Sequence, residues 1–528
     1  MSDIEVLLAL LGVVAGVVWL AGRLGVPYPI FLLLSGLGIG FLPGLPDVRI
    51  EPEVIFLVFL PPLIHAAAWQ TSVRQLKQNA PTVSILAILL VGATMGGVAL
   101  VAHTLVPDLN WAAAFVLGAI VAPTDTVAAT AVFRRIGVPE RIVSLVEGES
   151  LINDGSALVL YRTALTALAA GTFAPGEAAV DLLAVGLGGA AFGLGVAWII
   201  RQARKRIEDP LVEITVTLLT PFLAYLPAED LLGVSGILAV VASGLYLGWH
   251  SANDFSPNTR LQAYGFWSVT TFVLESLLFI LIGLQFPNAL AELEDQTVGS
   301  LLLAVGGVTV AVIAIRMVFA LAVVRLPAGE RAVVGWAGMR GAVSLAAALA
   351  VPADAPGQAA ILFLTLTTIG ITLILQGLTL PVLIARLGIT EEAGGAREKA
   401  LARFRTTEAA LGRIADLSFE RDDDIADTTV ERAREMYTER VRQLTGDCRE
   451  GVPGRSESDQ AAWTRLRRQL LRVERSALLE LRDEGRITLA ALREVEQDLD
   501  LEEARLSRTP APRPPAPAPE PSREEALR

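Results

Sequence analysis

The sequence has few of the residues from which soluble enzymes build metal sites and acid–base pairs. It contains one cysteine, Cys448, and three histidines, His65, His103 and His250. A single cysteine cannot form a disulfide within one chain, and neither a zinc-ligand spacing nor a glycine-rich phosphate loop is present in the sequence. We therefore expect no cofactor and no enzymatic activity.

Charged residues are also scarce through most of the chain. They make up 19% of the 528 residues, but they are thin over roughly the first 390 positions and crowd into the rest. Hydrophobic residues make up 53%, and the mean hydropathy is +0.54, which is too apolar for a soluble protein of this length. The formal net charge of -12 argues against nucleic acid as a partner.

This distribution predicts three parts. We expect an all-α polytopic membrane domain over residues 1–388, a helical cytoplasmic tail over 389–508, and a proline-rich disordered C-terminus over 509–528. The first stretch, MSDIEVLLALLGVVAGVVWLAGRLG, has acidic residues where a signal peptide has basic ones, so it is expected to be a retained first helix. The lipid bilayer of the cell membrane is the expected environment.

The membrane domain divides into apolar segments of spanning length. A spanning helix needs about 20 mostly apolar residues, and this rule gives about thirteen transmembrane candidates. They begin near Ile4, Val26, Glu53, Val83, Trp111, Ile142, Ala179, Leu211, Leu231, Tyr264, Ser300, Val333 and Gln358.

The loops between these segments differ in charge. One alternate set contains Lys and Arg, as in RQARKR from Arg201, whereas the other set has little beyond Arg49. Because loops rich in Lys and Arg stay in the cytoplasm, we expect the N-terminus outside and the tail inside.

Four ionisable residues fall near the middle of their predicted helices: Asp125, Asp154, Glu275 and Arg340. A charge that faces lipid at this depth costs about 3 kcal/mol, so the shared depth predicts a polar interior. Buried ion pairs that only lock helices together are the alternative. The excess of acid over base favours a bound cation or proton instead.

Two of these helices contain residues that interrupt a helix. Pro123 lies in AIVAPTDTVAAT, and Gly338 and Gly341 flank Arg340 in GWAGMRGAVSLA. Broken backbone at mid-membrane is tolerated where it lines a cavity. The two segments are seven crossings apart, and an odd offset requires an inverted repeat, which predicts a transporter with two discontinuous crossing helices.

The stretch GESLINDG places polar groups on one turn of the sixth segment. Ser150 and Asp154 share a helical face, and Glu149 and Asn153 share the neighbouring face. A carboxylate, a hydroxyl and an amide are therefore presented together near the middle of the membrane.

These groups suit a small hard cation, which prefers oxygen ligands. The fifth and sixth segments could supply them from Thr124, Asp125, Ser150 and Asp154. Because protonation of Asp154 would abolish this site, alternate binding of a cation and a proton would give exchange. With one titrating acid per cycle, and Asn153 beside it, the exchange would move no net charge.

The motifs APTDT, EGESLINDG, FVLESLLFILIGLQ and GMRGAVSLA, in this order, resemble the monovalent cation:proton antiporters of the sodium/proton exchanger type. The resemblance covers essentially the whole membrane domain. It implies that Asp154 carries both the cation, Na+, and the proton. It also implies electroneutral exchange and a homodimer.

The resemblance assigns further roles. Thr124, Asp125 and Ser150 would help to bind the cation, with Asp154, Thr124 and Ser150 as ligands of the transported Na+. A second set is implied to be structural. Glu149 and Arg340 would form a buried ion pair that orients the amide of Asn153 and the broken helices.

The chain departs from the family pattern at two positions. Thr126 stands where members commonly have proline, and Ala66 aligns where they often have a carboxylate. The candidate gate or funnel residues are His65, Glu147 and Glu275, each with a structural alternative. Arg162 and Arg316 are expected to neutralise buried acids or to reach an interface, without a transport role.

The tail contains an apolar stripe in WTRLRRQLLRVERSALLEL. Its members recur every three or four residues, which predicts a helix that buries this face in a bundle or against a partner. They are Trp463, Leu466, Leu470, Val473 and Ala477.

Three other functions remain open at this point. A potassium/proton antiporter would use the same scaffold. An intramembrane aspartyl protease would use Asp125 and Asp154, but it gives Glu149 and Asn153 no role. A passive cation channel explains the acidic residues without needing a proton-binding Asp.

Overall fold

A computed structural model of the chain describes residues 3–24, 27–42, 54–107, 109–170, 175–207, 209–291, 293, 298–352, 354–389, 404–416 and 427–446, together with 467, 470–474, 476, 495, 499 and 501–503. All regular structure among these residues is helical. The predicted all-α fold is therefore confirmed.

The helices of the membrane domain follow one another with short connections. Apart from the six-residue helix Val73–Gln78, they are in chain order α1 (Asp3–Leu24), α2 (Tyr28–Gly40), α3 (Ile55–Gln70), α4 (Ala80–Leu105), α5 (Trp111–Val121), α6 (Val127–Ile136), α7 (Glu140–Ala170), α8 (Pro175–Arg204), α9 (Pro210–Leu231), α10 (Gly236–Asp254), α11 (Pro257–Ala291), α12 (Val298–Val323), α13 (Ala328–Trp336), α14 (Ala342–Leu349) and α15 (Gln358–Arg386). A helix begins near each predicted start, and the largest shift is at Tyr264, where the helix begins at Pro257.

Six of the described helices are long and apolar enough to span a membrane. They are α4, α8, α9, α11, α12 and α15, and several shorter apolar helices accompany them. The chain is therefore a multi-pass membrane protein, and the number of thirteen crossings stays a prediction.

Side chains at the loop ends start several helices. Asn110 accepts the Ala113 N–H at 2.9 Å at the start of α5, and Ser235 accepts the Leu238 N–H at 3.2 Å at the start of α10. Such caps satisfy backbone donors that have no partner inside the helix. They explain why polar residues stand at these boundaries in an otherwise apolar sequence.

The membrane helices pack in two groups. One group, here called the scaffold, contains α1–α3 and α8–α11, and the other, here called the core, contains α4–α7 and α12–α15. Within the scaffold α2 packs on α11 and α3 packs on α10; within the core α4 packs on α5 and on α12.

Corresponding contacts in the two halves indicate a structural repeat, and its inversion across the membrane stays a prediction. If α1–α7 correspond to α9–α15, the crossing of α2 with α11 corresponds to that of α10 with α3. Glycine permits both, because a Cβ at Gly36 would overlap the backbone of Ile280, and a Cβ at Gly248 would overlap that of Trp69. The repeat is therefore visible in packing, although it is not evident as sequence identity.

The chain divides into two compact units, residues Met1–Glu392 and Ala393–Arg528. Described parts of the second unit include a helix over 404–416 and α16 (Asp427–Gly446). Arg467 forms an ion pair with Glu502 at 2.7 Å, which joins two segments distant in sequence.

The predicted apolar stripe of the tail is only partly described. Leu470 is 41% exposed and Val473 is 66% exposed, whereas the neighbouring Leu471 is 1% exposed. The exposure of Leu470 and Val473 does not support burial of this face within the chain, and its burial against a partner stays a prediction. Trp463, Leu466 and Ala477 lie outside the described residues.

Candidate ion-binding site at the crossing of two broken helices

The two predicted interruptions are present and contact each other. The first separates α5 from α6 at residues 122–126, where Pro123 lacks an N–H and disfavours a helical residue before it. The second separates α13 from α14 at residues 337–341. The Asp125 N–H donates to the Met339 carbonyl at 2.8 Å, so the two unwound segments are joined at their centres.

The N-terminal ends of α6 and α14 meet at Asp125. Its Oδ1 accepts the Val127 N–H at 2.8 Å, and its Oδ2 accepts the Ala342 N–H at 3.3 Å. Helix N-termini carry a partial positive charge of about half a unit each, so one carboxylate compensates both. A Cβ at position 341 would overlap this carboxylate, which explains why Gly341 stands there.

The C-terminal ends of the opposite half-helices meet at Arg340. Its Nε donates to the Val121 carbonyl at 2.6 Å, and its Nη1 donates to the Gly338 carbonyl at 2.7 Å. Its own N–H donates to Thr372 Oγ1 at 3.2 Å. Arg340 is therefore buried among the carbonyl oxygens that a helix C-terminus leaves unpaired.

Glu149 pairs with Arg316 of α12, and the predicted Glu149–Arg340 ion pair is wrong. Arg316 Nη1 lies 2.5 Å from Glu149 Oε1, and Nη2 lies 3.1 Å from Oε2. Both side chains are almost fully buried. Arg340 is already held by carbonyl oxygens, whereas Gly338 has no side chain and leaves room for the Arg316 stem. The expectation that Arg316 neutralises a buried acid is confirmed.

Two side chains of α7 hold the first unwound segment. Ser150 Oγ donates to the Thr124 carbonyl at 2.7 Å, and Asn153 Nδ2 donates to Thr124 Oγ1 at 2.7 Å. Asn153 is therefore oriented by Thr124, not by a Glu149–Arg340 pair. Its Oδ1 is buried and accepts no hydrogen bond from the described residues, so it can accept one from water.

Asp154 differs from the other two carboxylates of this region. Asp125 and Glu149 each have both oxygens occupied, whereas Asp154 has no hydrogen bond or ion pair with a described side chain. Asp154 is half-buried, and Asp125 lines the same cavity, so two negative charges there would repel each other. A cation or proton bound at Asp154 would relieve this repulsion.

A cavity of about 1340 Å³ leads to Asp154 between the scaffold and the core. Along α7 it is lined by Glu140, Glu147, Ser150 and Asp154, and residues after Asp154 do not line it. It therefore opens at the face where α7 begins and ends beside Asp154. Arg135 also lies at its mouth, on the face that carries the basic loops.

The candidate funnel residues divide into two sets. Glu147 and Glu275 line the cavity, and Glu275 accepts a hydrogen bond from the Tyr28 hydroxyl at 3.1 Å. His65 does not line it; its ring lies 5.5 Å from that of Trp267 inside the scaffold. The gate or funnel role predicted for His65 is therefore not supported, because the rotation of α3 turns the neighbouring residue toward the cavity.

That neighbour is Ala66, one of the two departures from the family pattern. Ala66 and Thr126 both line the cavity. At these two positions the wall has a methyl group and a hydroxyl. Among the described residues, no group of three or more His, Cys, Asp or Glu side chains could hold a metal ion.

One contributor to the site, Tyr28, was missed, and Arg316 was expected to neutralise a buried acid without its partner being named. Tyr28 has no sequence signal that would place it beside Glu275. Arg316 does have one, since a lone arginine within an apolar segment of spanning length requires an acidic partner.

The chain is similar to known transport proteins over most of its length. A family described as sodium/hydrogen exchanger, transmembrane, matches residues 6–386. An uncharacterised Na+/H+ exchanger of Mycobacterium tuberculosis is 35% identical over 522 residues, which cover 94% of this chain and 94% of the relative. The Na+/H+ antiporter ApNhaP of Aphanothece halophytica is 34% identical over 408 residues, 74% of each chain.

The fold is also that of a solved antiporter. The structure of the sodium proton antiporter from Methanocaldococcus jannaschii matches with a TM-score of 0.61 and 23% identity. The match covers 73% of this chain and 98% of the other. By the match to residues 6–386 and the identity to its relatives, the chain belongs to the sodium/hydrogen exchanger family of transmembrane proteins.

Proposed function

We propose that this chain exchanges Na+ for H+ across the membrane and that Asp154 binds the two ions alternately. The observation that carries the proposal is the position of Asp154, at the inner end of a cavity and without a side-chain partner among the described residues. Relatives named Na+/H+ antiporters support sodium as the cation, and no observation favours potassium. Such an exchange moves ions across the membrane without converting a substrate chemically.

The Na+ site would be formed by oxygen atoms from the two adjacent elements. Asp154 supplies a carboxylate without a partner, and Ser150 and Thr124 line the same end of the cavity. Asp125 lies close enough to lower the energy of a cation here by its charge, although its oxygens are occupied by helix N-termini. Asp125 would therefore act mainly as a positioning residue.

The arrangement supports electroneutral exchange. Among the described carboxylates at the crossing, Asp125, Glu149 and Asp154, only Asp154 has no side-chain or backbone partner, so one proton would leave when one Na+ binds. Glu149 is neutralised by Arg316 in both steps. Each cycle would then move a single positive charge in each direction.

The positive loops support an orientation for this cycle. The mouth of the cavity lies at the arginine-rich face, which would be cytoplasmic, with the N-terminus outside and the tail inside. The described conformation would then be open to the cytoplasm. The cell membrane as the location and a homodimer as the assembly follow from the family resemblance alone.

The first test is exchange in proteoliposomes. We expect external Na+ to drive proton movement with the wild-type protein and not with Asp154→Asn, which keeps the shape but cannot carry a proton. Asp354→Asn is the matched control, because Asp354 is an exposed loop residue. Equal proton movement with wild type and Asp154→Asn would overturn the proposed mechanism.

The same vesicles separate the competing functions. Replacement of Na+ by K+ or Li+ measures selectivity, and equal responses to Na+ and K+ would contradict sodium preference. Downhill cation current without proton movement would indicate a channel. Cleavage of a membrane peptide, lost in both Asp125→Asn and Asp154→Asn, would indicate a protease.

A further inference from the structure

The cavity is closed immediately beyond Asp154. The next residue of α7, Gly155, is covered by Leu238 of α10, whose Cδ2 would lie 2.5 Å from a Cβ at that position. Leu238 also approaches Gly186 of α8. A scaffold side chain thus packs against α7 one residue beyond Asp154, where the cavity lining along α7 ends.

An ion pair lies farther along α7 in the same direction. Arg162 is eight residues beyond Asp154 on α7, which corresponds to about 12 Å along the helix axis. Its Nη2 contacts Oε1 of Glu229, at the end of α9. Leu158 lies between Asp154 and Arg162 at intervals of four residues, so all three are on one side of α7.

This ion pair connects the two helix groups. Four other pairs with both partners described lie within one group: Arg141–Glu330 and Arg316–Glu149 in the core, and Arg201–Asp254 and Arg204–Glu213 in the scaffold. The Arg162–Glu229 pair instead joins α7 of the core to α9 of the scaffold. Relative movement of the groups must break such a contact.

Glu229 is fixed to the scaffold by its second oxygen. Glu229 Oε2 accepts the N–H of Gly236, the first residue of α10, at 3.1 Å. This bond holds the carboxylate in place independently of Arg162. The side chain of Arg162 is 47% exposed, so the pair is accessible from water and easily broken. The contact can therefore form and break reversibly, and it is not suited to holding the two helix groups together permanently.

We propose that Arg162 and Glu229 form a latch that keeps the cavity closed at the face opposite its mouth. The proposal rests on the proposed exchange function, because alternating access requires Asp154 to reach both faces. Loss of the latch shifts the equilibrium toward the state open at the opposite face. The fraction of molecules in the described state then falls, and the apparent affinity for Na+ that enters at the cavity mouth falls by the same factor.

The latch is tested by cysteine accessibility. In a Cys448→Ser background, Leu158→Cys places a reporter beneath the latch, where the native side chain is 9% exposed. A membrane-impermeant maleimide is added to each face of oriented vesicles in turn. We expect slow labelling from the face opposite the cavity mouth, and a rate several-fold higher in Glu229→Gln or Arg162→Gln.

The choice of variants distinguishes loss of the latch from a general loosening of the helix packing. Glu229→Gln retains an oxygen that can accept the Gly236 N–H. The double variant is expected to label no faster than the faster single variant, because both remove the same contact. Glu330→Gln is the control, because it breaks the Arg141–Glu330 pair, which involves α7 but lies within the core. This variant is expected to leave the labelling rate unchanged.

Two results would overturn the latch. One is an unchanged labelling rate in both single variants; the other is an equal increase in Glu330→Gln. If the Leu158→Cys protein does not fold, Val159→Cys, 5% exposed in the native chain, provides a second reporter. Labelling is measured without an ion gradient and also in Asp154→Asn, so failure of Na+/H+ exchange would be distinguishable from failure of the latch.

Discussion

At the scale of the residue, three acidic side chains of similar depth have different chemistry because they have different partners. Asp125 is occupied by two helix N-termini, and Glu149 is occupied by Arg316. Asp154 has no such partner among the described residues and faces the cavity. The surroundings of each carboxylate, not its depth in the membrane, distinguish the proposed carrier from the other two residues.

The buried Glu149–Arg316 pair gives a prediction about stability. Glu149→Gln leaves the Arg316 charge buried without a counter-charge, and loss of one partner of a buried pair costs about 3–5 kcal/mol. We expect a clear decrease in the melting temperature of the detergent-solubilised protein. Glu408→Gln, which breaks an exposed pair with Arg405 in the tail, is the control and should leave the melting temperature unchanged. Equal melting temperatures for Glu149→Gln and wild type would contradict the assignment.

At the scale of the element, the two broken helices form one charge-compensated unit. Asp125 accepts from the N-terminal ends of α6 and α14, while Arg340 donates to carbonyls at the end of α5 and just after α13. Like ends of two half-helices would otherwise repel each other in a medium of low dielectric. The crossing can therefore exist at mid-membrane because each pair of like ends shares one opposite charge.

This unit has little room at position 341. In Gly341→Ala the added methyl group would overlap the Asp125 carboxylate, which must move away from the Ala342 N–H. We expect at least a tenfold loss of Na+-driven proton movement at similar helix content. Gly195→Ala is the matched control, since a Cβ there meets no atom within 4 Å. Exchange by Gly341→Ala at the wild-type rate would exclude a requirement for this close contact.

At the scale of the whole molecule, the site lies where two helix groups face each other. The cavity separates the groups on one side of Asp154, whereas Leu238 and the Arg162–Glu229 pair join them on the other side. The proposed alternating access would require a movement between the groups, while the broken helices and α7 remain together within the core. The proposed carrier Asp154 belongs to the core, and the contacts proposed to set its access join the core to the scaffold.

Competition at a single carboxylate predicts the pH dependence of transport. A proton and Na+ exclude each other at Asp154, so lower pH should raise the apparent KM for Na+, by about tenfold per pH unit where the proton occupies the site. The measurement is the Na+ dependence of exchange at several pH values with the same pH on both sides. A KM that does not change with pH would indicate separate sites for the two ions.

The membrane character and the approximate positions of the helices could be predicted from the amino-acid sequence. Apolar segment length, Pro123 and the glycines around Arg340 are local properties, and each has a direct effect on the backbone. The candidate carrier could also be proposed from the sequence, because Asp154 and Ser150 share a helical face and the surrounding motifs resemble a known family.

The partners of the charged groups became evident from the packing of the helices. Arg340 and Arg316 are both arginines in apolar segments, and the sequence could not decide between them because pairing depends on helix rotation and crossing geometry. The crossing commits Arg340 to carbonyl oxygens and brings Arg316 to Glu149. The same rotation places Ala66, rather than His65, on the cavity wall, since neighbouring helical residues point about 100° apart. Contacts between distant helices therefore decided the roles, while local physical chemistry decided which residues were available for them.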